Sequence, residues 1–377
     1  MEKILIDASN IKVGGGLQVS ISVINSLINE FDTSKFVFAV STFVFEQLDI
    51  PKEHNGKFYI IDMNLSKPFE FYRERNKLIC LLDDYNIKTV FTIFGPSFWN
   101  PKNTKHLIGF ANAWIVSPNS QAYIRYPLLP RLKLKLKNYL IGKALYSKKA
   151  HYVTETESVK KLFCDYFSSN EKSISVVGNC ISQIFTSSHE EDIYGLGNID
   201  KFKFMTVSFN YPHKNLSVIS SVGKYLESKG FSFVFVVTID EGDYNKLSDE
   251  FKKYTYNLGK VNLSDCKSVY KYSDALFLPT LIECFTVSYL EAFYTRKPIL
   301  TSDLDFANEI CGEAAFYFDP YNLNSINLCC ENVINDFHSN KNLINRKIDL
   351  YDERLGCFGG NTERVSSYLK IIERLNK

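Results

Sequence analysis

At 377 residues the chain exceeds what one core ordinarily serves and suits two domains of average size. Hydrophobic residues at 45% against 23% charged exclude a disordered or fibrous chain. A formal net charge of +2 excludes a global attraction for nucleic acid, so no nucleic-acid partner is expected and any basic character that matters is local.

The nine cysteines are scattered, with no CxxC and only Cys329-Cys330 adjacent, and read as the reduced thiols of a cytoplasmic protein. The start, MEKILIDASN, enters a strand without a signal-peptide pattern. No apolar run approaches bilayer length, and FSFVFVV at 231–237 is strand-sized. A membrane would be met peripherally, from its inner face.

Short apolar runs alternate with amphipathic stretches, which predicts βα units and parallel sheets. In chain order the strands are expected at KILIDA (3–8), FVFAVST (36–42), FYIIDM (58–63), TVFTIF (89–94), HLIGFA (106–111), HYVTET (151–156) and SISVVGN (173–179), with helices over 16–30, 68–85 and 157–167. The polar, glycine-bearing run SSHEEDIYGLGNID (187–200) breaks the pattern as a linker. A second set follows: strands at 203–209, 233–239, 275–280, 298–303 and 314–318, and helices at 214–229, 263–271 and 286–296. The tail, NTERVSSYLKIIERLNK, predicts a closing amphipathic helix with Val365, Tyr368, Leu369 and Ile372 on one face. The expected division is 1–185, a linker at 186–200, 201–360, and a helix 361–377 packing back on the first domain.

Glu283 falls in the turn after the strand ALFLPT and Glu291 on the helix that follows. Between them Phe285, Thr286 and Val287 offer free backbone N–H groups at a helix start, a place for an anion. The two glutamates lie at most ~12 Å apart along a helix. Carboxylates accept paired hydrogen bonds from diols, so the pair suits a diphosphate held between two hydroxyl-bearing groups. The alternative is a surface glutamate and a helix-stabilising one.

The run "SDALFLPTLIECFTVSYLEAFYTRKPILTSDLDFANEICGEAAFYFDP" (273–320) resembles the E-x7-E region of the retaining glycosyltransferases of family 4. Strand, Pro-Thr, Glu283, Phe285, Glu291-Ala292, Lys297-Pro298, Glu309-Ile310 and Asp319-Pro320 match in order. "VVGNCISQIF" (176–185) is similar to the family's entry to the linker, with Cys180 in place of a glycine, and "SFNYPHKNLSVI" (208–219) to the segment whose lysine contacts the donor diphosphate. The resemblance implies an α/β fold of the GT-B type, two facing Rossmann-like doubly wound domains with a cleft between them.

It further implies a nucleotide-sugar donor bound mainly by the second domain. Lys214 would meet the diphosphate with the N–H groups around Phe285, Thr286 and Val287, Glu283 would orient the transferred sugar, and Glu291 the ribose. An arginine is usual a few residues before the lysine; here that stretch reads Phe209-Asn210-Tyr211, leaving His213 and Asn210 as candidates for part of its role. The glycine pair that faces the donor maps to Gly15 and Gly16 of the run Gly14-Gly15-Gly16, where a tight turn without ligand is the alternative. This run is not a dinucleotide fingerprint, because its third glycine would fall at Val19. No catalytic histidine transfers; Asn112 and Trp114 are acceptor-side candidates that also suit a core or a turn.

The stretch "RLKLKLKNYLIGKALYSKKA" (131–150) is basic, free of acids and interleaved with leucine, and over 131–149 is a candidate for an anionic membrane surface or for a solvated helix with its leucines inward. Asp303-Leu304-Asp305 is read as a chance DxD, and the histidines show no ligand spacing, so no metal and no cofactor are expected. The expected function is transfer of a sugar from a nucleoside-diphosphate sugar to a hydroxyl of a glycan or lipid-linked glycan, with retention, in bacterial surface polysaccharide synthesis. A nucleotide-sugar 2-epimerase and a catalytically inactive nucleotide-sugar-binding subunit are the rivals.

Overall fold

The computed structural model describes residues 3–51, 57–64, 67–95, 97, 99–188 and 190–377. Their strands form two sheets. The first holds β1 (Lys3–Ala8), β2 (Phe36–Val40), β3 (Phe58–Ile60), β4 (Ile87–Thr92), β5 (Lys105–Gly109), β6 (His151–Thr154) and β7 (Ile174–Val176) in the order β3-β2-β1-β4-β5-β6-β7. The second holds β8 (Phe202–Thr206), β9 (Phe233–Val237), β10 (Thr255–Asn257), β11 (Ala275–Leu278), β12 (Ile299–Ser302) and β13 (Phe316–Phe318) in the order β10-β9-β8-β11-β12-β13. Every ladder is parallel. The expected α/β architecture of two doubly wound sheets is what the chain adopts.

The chain separates into two compact units. One comprises residues up to Pro118, Leu134–Asn179 and Gly360–Lys377, the other Asn119–Lys133 and Cys180–Gly359. In the first unit, strand alternation sends Ile6, Phe38 and Phe91 to the face covered by the helices Gly15–Glu30 and Asn361–Asn376. Leu5, Val37 and Val90 go to the other face, under the helix Pro68–Asp84. In the second unit Met205, Leu276 and Leu278 pack with Tyr289, Leu290 and Phe293, while Phe204, Phe235 and Phe277 pack with Ile219, Val222 and Ile334. Burial on both faces is why these strands read as nearly continuous apolar runs.

Two local departures matter. Lys214 is not on a helix: it ends a 3₁₀ turn, Pro212–Lys214, and the helix starts only at Val218. Asn215 intervenes with φ 58°, a left-handed residue that interrupts helical geometry and that asparagine tolerates. The short, polar edge strand β10 was not anticipated from sequence, because Thr-Tyr-Asn carries no apolar run.

In both sheets the strand order reverses beside the first strand, between β1 and β4 and between β8 and β11. Loops leave such a point in opposite directions and open a crevice at the carboxyl ends of the strands.

Candidate active site

At the switch point of the second sheet the loop after β8 meets the loop after β11. The Leu281 N–H donates to the His213 carbonyl at 2.8 Å, fastening the two. Across this junction Lys214 Nζ donates to Glu283 Oε1 at 2.5 Å, and Thr280 Oγ1 donates to the same oxygen at 2.8 Å. Both charged side chains are largely covered, at 18% and 15% exposure, so their attraction is screened less than a surface pair's. Among the described residues both of these donors take Oε1, and none takes Oε2 of Glu283.

Aromatic rings line the same loop. His213 stacks on Tyr211 with centroids 5.6 Å apart, and Tyr211 leans on the half-exposed Phe209. Burial holds the His213 imidazole down to about 4, with Lys214 acting in the same sense and Glu283 opposing, so the ring is neutral at pH 7. Asn210 is half-buried in this loop. Asn215 is buried, and among the described residues neither of its amide atoms has a partner.

The helix after β11 runs Val287–Tyr294, with Thr286 as its N-cap residue. Thr286 supplies no side-chain cap, and its buried Oγ1 has no partner among the described residues. The Tyr289 N–H donates to the Thr286 carbonyl at 3.3 Å, and the Val287 and Ser288 N–H groups ahead of it keep the hydrogen-bonding capacity that a helix leaves open at its start. Phe285 meets Phe358 edge-on at 5.5 Å. Glu291 lies one turn further in and is only 7% exposed; its Oε2 accepts from the Tyr270 hydroxyl at 2.7 Å. Burial raises the Glu291 carboxyl to about 7, against the lowering effect of the Tyr270 hydrogen bond.

Of the expected residues, then, Lys214, Glu283 and His213 are brought together with Thr280, whereas Glu291 holds a different partner. Thr280 and Tyr270 were missed. The Pro-Thr dipeptide marked the position of Thr280 but not its bond, and nothing local marks Tyr270.

The first unit carries the other candidates. The positive φ of the glycine run belongs to Gly14, at 75°, and the helix begins at Gly15. A Cβ on Gly15 would meet nothing within 4 Å, but one on Gly16 would lie 2.9 Å from Phe94 Cδ1. Asn10 Nδ2 donates to the Phe94 carbonyl at 3.1 Å, tying the loop after β1 to the loop after β4. Asn112 precedes the short helix Ala113–Val116, and its buried Oδ1 has no partner among the described residues; Trp114 is half-buried on that helix.

Close by in the sheet, the buried Asp7 carboxylate accepts from Ser9, Thr92 and Trp99. His106 meets Thr92 Oγ1 at 3.0 Å, and burial holds its imidazole down to about 3, neutral. Asp303 of the DxD accepts from Asn308, and Asp305 begins the next helix. Among the described residues no group of three or more His, Cys, Asp or Glu is placed to hold a metal. His54 and His189 lie outside those residues.

Residues 196–349 match the family described as glycosyl transferases group 1, a span that contains Lys214, Glu283 and Glu291. Fold and match define the class: a GT-B fold carrying a glycosyl transferases group 1 domain, which is a transferase domain. The chain is similar to the O-antigen chain mannosyltransferase RfbU of Salmonella typhimurium, 24% identical over 177 residues that cover 45% of this chain and 47% of the relative. The chain spans about half the length of the curated relatives it matches. Among solved structures it is similar to a glycosyltransferase from Rickettsia africae, with TM-score 0.72, 15% identity and coverage of 100% and 99% of the two chains. It is likewise similar to Anabaena Alr3699/HepE in complex with UDP and glucose, with TM-score 0.69, 13% identity and coverage of 99% and 100%.

Proposed function

We propose that this chain transfers a sugar from a nucleoside-diphosphate sugar to a hydroxyl of a glycan or lipid-linked glycan, with retention, as a glycosyltransferase of family 4. The observation that carries the reading is the Lys214–Glu283 pair at the switch point of the second sheet, inside the matched segment. A lysine held there by a carboxylate can re-partner with a diphosphate, whose charge grows as the glycosidic bond breaks. The freed Glu283 then accepts from hydroxyls of the transferred sugar. The open N–H groups at the start of Val287–Tyr294 and the unpartnered Thr286 hydroxyl add donors for the phosphates. Glu291 offers the oxygen not engaged by Tyr270 to the ribose diol. No metal takes part in this scheme.

The likeness to an O-antigen chain mannosyltransferase supports a surface polysaccharide as the product. A panel of nucleotide sugars screened by thermal shift identifies the donor, since a ligand that binds only the native state raises its melting temperature. Radiolabelled transfer from that donor is then measured. Lys214→Ala is expected to lower kcat by about 10²–10³-fold, the range for losing one stabiliser of developing charge. Glu283→Gln is expected to fall comparably, with donor binding retained. Absence of stabilisation by any nucleotide sugar overturns the reading. A free sugar isomer released without acceptor means an epimerase, and binding without turnover means the inactive subunit that the cation-free stretch Phe209-Asn210-Tyr211 would favour.

A further inference from the structure

The Tyr270 hydroxyl stands where two acceptors of the helix Val287–Tyr294 converge, Glu291 Oε2 at 2.7 Å and the Ser288 carbonyl at 3.4 Å. Tyr270 belongs to the helix Leu263–Lys271, is fully buried, and meets Phe185 edge-on at 5.5 Å. A ring packed on all sides holds its hydroxyl at one point. With a single proton to give, that hydroxyl gives to the nearer acceptor, and a carboxylate is also the stronger of the two. One oxygen of Glu291 is therefore fastened from inside the protein, by a residue of another helix.

Among the described residues no cation pairs with Glu291; burial raises its carboxyl to about 7, and the Tyr270 hydrogen bond is what opposes burial. The helix Leu263–Lys271 also brings up the buried Cys266 thiol, which burial and then the Glu291 charge push up, so it stays protonated and neutral. Lys267 and Lys271 of that helix are committed to Glu190, at 2.8 and 3.1 Å. The helix Tyr351–Gly356 packs on Val287–Tyr294 as well, and its polar groups are engaged elsewhere. Tyr351 donates to the Lys297 carbonyl at 2.9 Å, Asp352 meets Arg296 at 3.3 Å, and Arg354 holds the Ile310 and Glu309 carbonyls. One hydrogen bond thus governs both where the Glu291 carboxylate points and how readily it ionises. The ionised form accepts at both oxygens, as the two O–H donors of a ribose diol require, whereas the neutral form turns one oxygen into a donor.

We propose that Tyr270 is a positioning residue of the donor site, clamping Oε2 of Glu291 so that the carboxylate meets the ribose diol of a nucleoside diphosphate with its other oxygen. The proposal rests on the donor reading above. It adds that nucleotide affinity is tied to pH through a residue that does not touch the nucleotide. Because the ionised carboxylate is the form that takes the diol, a proton competes with the nucleotide, and affinity falls as pH drops below about 7. Without the hydroxyl, burial acts on Glu291 unopposed, and the fall moves to higher pH.

The full chain and Tyr270→Phe, which keeps the ring, are titrated calorimetrically between about pH 6.5 and 9 with UDP, GDP and the 2′,3′-dideoxy form of each. Tyr270→Phe is expected to bind the ribonucleotide roughly 10-fold more weakly at pH 7, the scale of one hydrogen bond to a charged group, and to bind the dideoxynucleotide as wild type does. In transfer assays it is expected to raise KM by a similar factor with kcat within about 2-fold. In a Glu291→Gln background the pH dependence and the effect of Tyr270→Phe are both expected to vanish. On the ligand-free chain, carbon-13 NMR of the glutamate carboxyls follows Glu291 directly, its signal assigned by its loss in Glu291→Gln. Its titration is expected to move from about 7 to roughly 8 or above in Tyr270→Phe. An unmoved titration, or equal weakening of ribonucleotide and dideoxynucleotide, overturns the proposal. Wild type that binds neither UDP nor GDP overturns the donor reading and the proposal with it. Wild type that binds one of them, matched by Tyr270→Phe at every pH, overturns the proposal alone.

Discussion

Glu291 is a carboxyl group that folding makes harder to ionise, to about 7, because the helix Val287–Tyr294 carries it into an apolar interior. An unfolded glutamate titrates near 4.3. Between these values the folded chain holds a proton that the unfolded chain has lost, so this residue's contribution to stability grows as pH falls from about 7 and declines as pH rises through 7. Glu291→Gln keeps an acceptor for the Tyr270 hydroxyl and removes the ionisation. The variant is expected to be more stable than wild type at pH 8 and close to it at pH 5, the difference reflecting one proton at about 1.4 kcal/mol per pH unit. His213 has the opposite sign. With its imidazole held at about 4 against an ordinary 6.5, it costs stability as pH falls from 6.5 toward 4. The two windows overlap and oppose, so urea titrations at several pH values should show Glu291→Gln steepening the acid loss and His213→Gln relieving it. Identical pH profiles for Glu291→Gln and wild type would show that the carboxyl is not buried as described. Sequence could place Glu283 in the turn after a strand and Glu291 on the helix that follows, while Lys214 was singled out only through the family resemblance. It could not show that Lys214 bonds Glu283, 69 positions away, or that Tyr270 takes an oxygen of Glu291, because such partners are fixed only by packing.

At the scale of elements, the loop joining β1 to the helix Gly15–Glu30 separates three glycines that are indistinguishable in sequence. Gly14, with φ 75° and ψ −158°, occupies backbone space that side chains strongly disfavour, so Gly14→Ala is expected to destabilise by roughly 1–3 kcal/mol. Gly16→Ala presses against Phe94 and is expected to cost stability as well. Gly15→Ala meets nothing and is expected to stabilise by up to about 1 kcal/mol, by helix propensity and a less flexible unfolded chain. Chemical denaturation ranks the three. If Gly15→Ala is more stable yet binds the nucleotide sugar more weakly, that glycine is retained for close approach of the ligand. The parallel sheets themselves were legible, since doubly buried strands between amphipathic helices leave an alternation of long apolar runs. Their ends were not: FVFAVST stops being strand at Val40 because Ser41 turns to cap the next helix, accepting from the Val44 N–H. Local composition marked 131–149 as basic and leucine-interleaved but did not separate the half-buried Leu134 from the exposed Leu132 and Leu136 of the helix Leu128–Leu145.

At the scale of the whole molecule, the chain completes its first unit last. The helix Asn361–Asn376 belongs to the unit that begins the sequence, and it follows the entire second sheet. Tyr368 packs on Phe91 at 4.8 Å, Val365, Ile371 and Ile372 join the core beneath the helix Gly15–Glu30, and Arg364 reaches Asn179 at 2.5 Å and Ser22 at 2.8 Å. Four large apolar side chains at about 1.5–3 kcal/mol each amount to as much as a domain's whole stability. A chain ending at Gly360 is therefore expected to lose cooperative folding of the first unit while the second, with its own sheet and Lys214–Glu283 pair, stays folded. Hydrogen exchange distinguishes the two: protection should vanish in β1 and β4 and persist in β8 and β11. Nucleotide-sugar stabilisation of the surviving transition would then show how much of the donor site the second unit supplies alone. Undiminished protection in β1 and β4 would mean that the tail helix covers a core already closed without it.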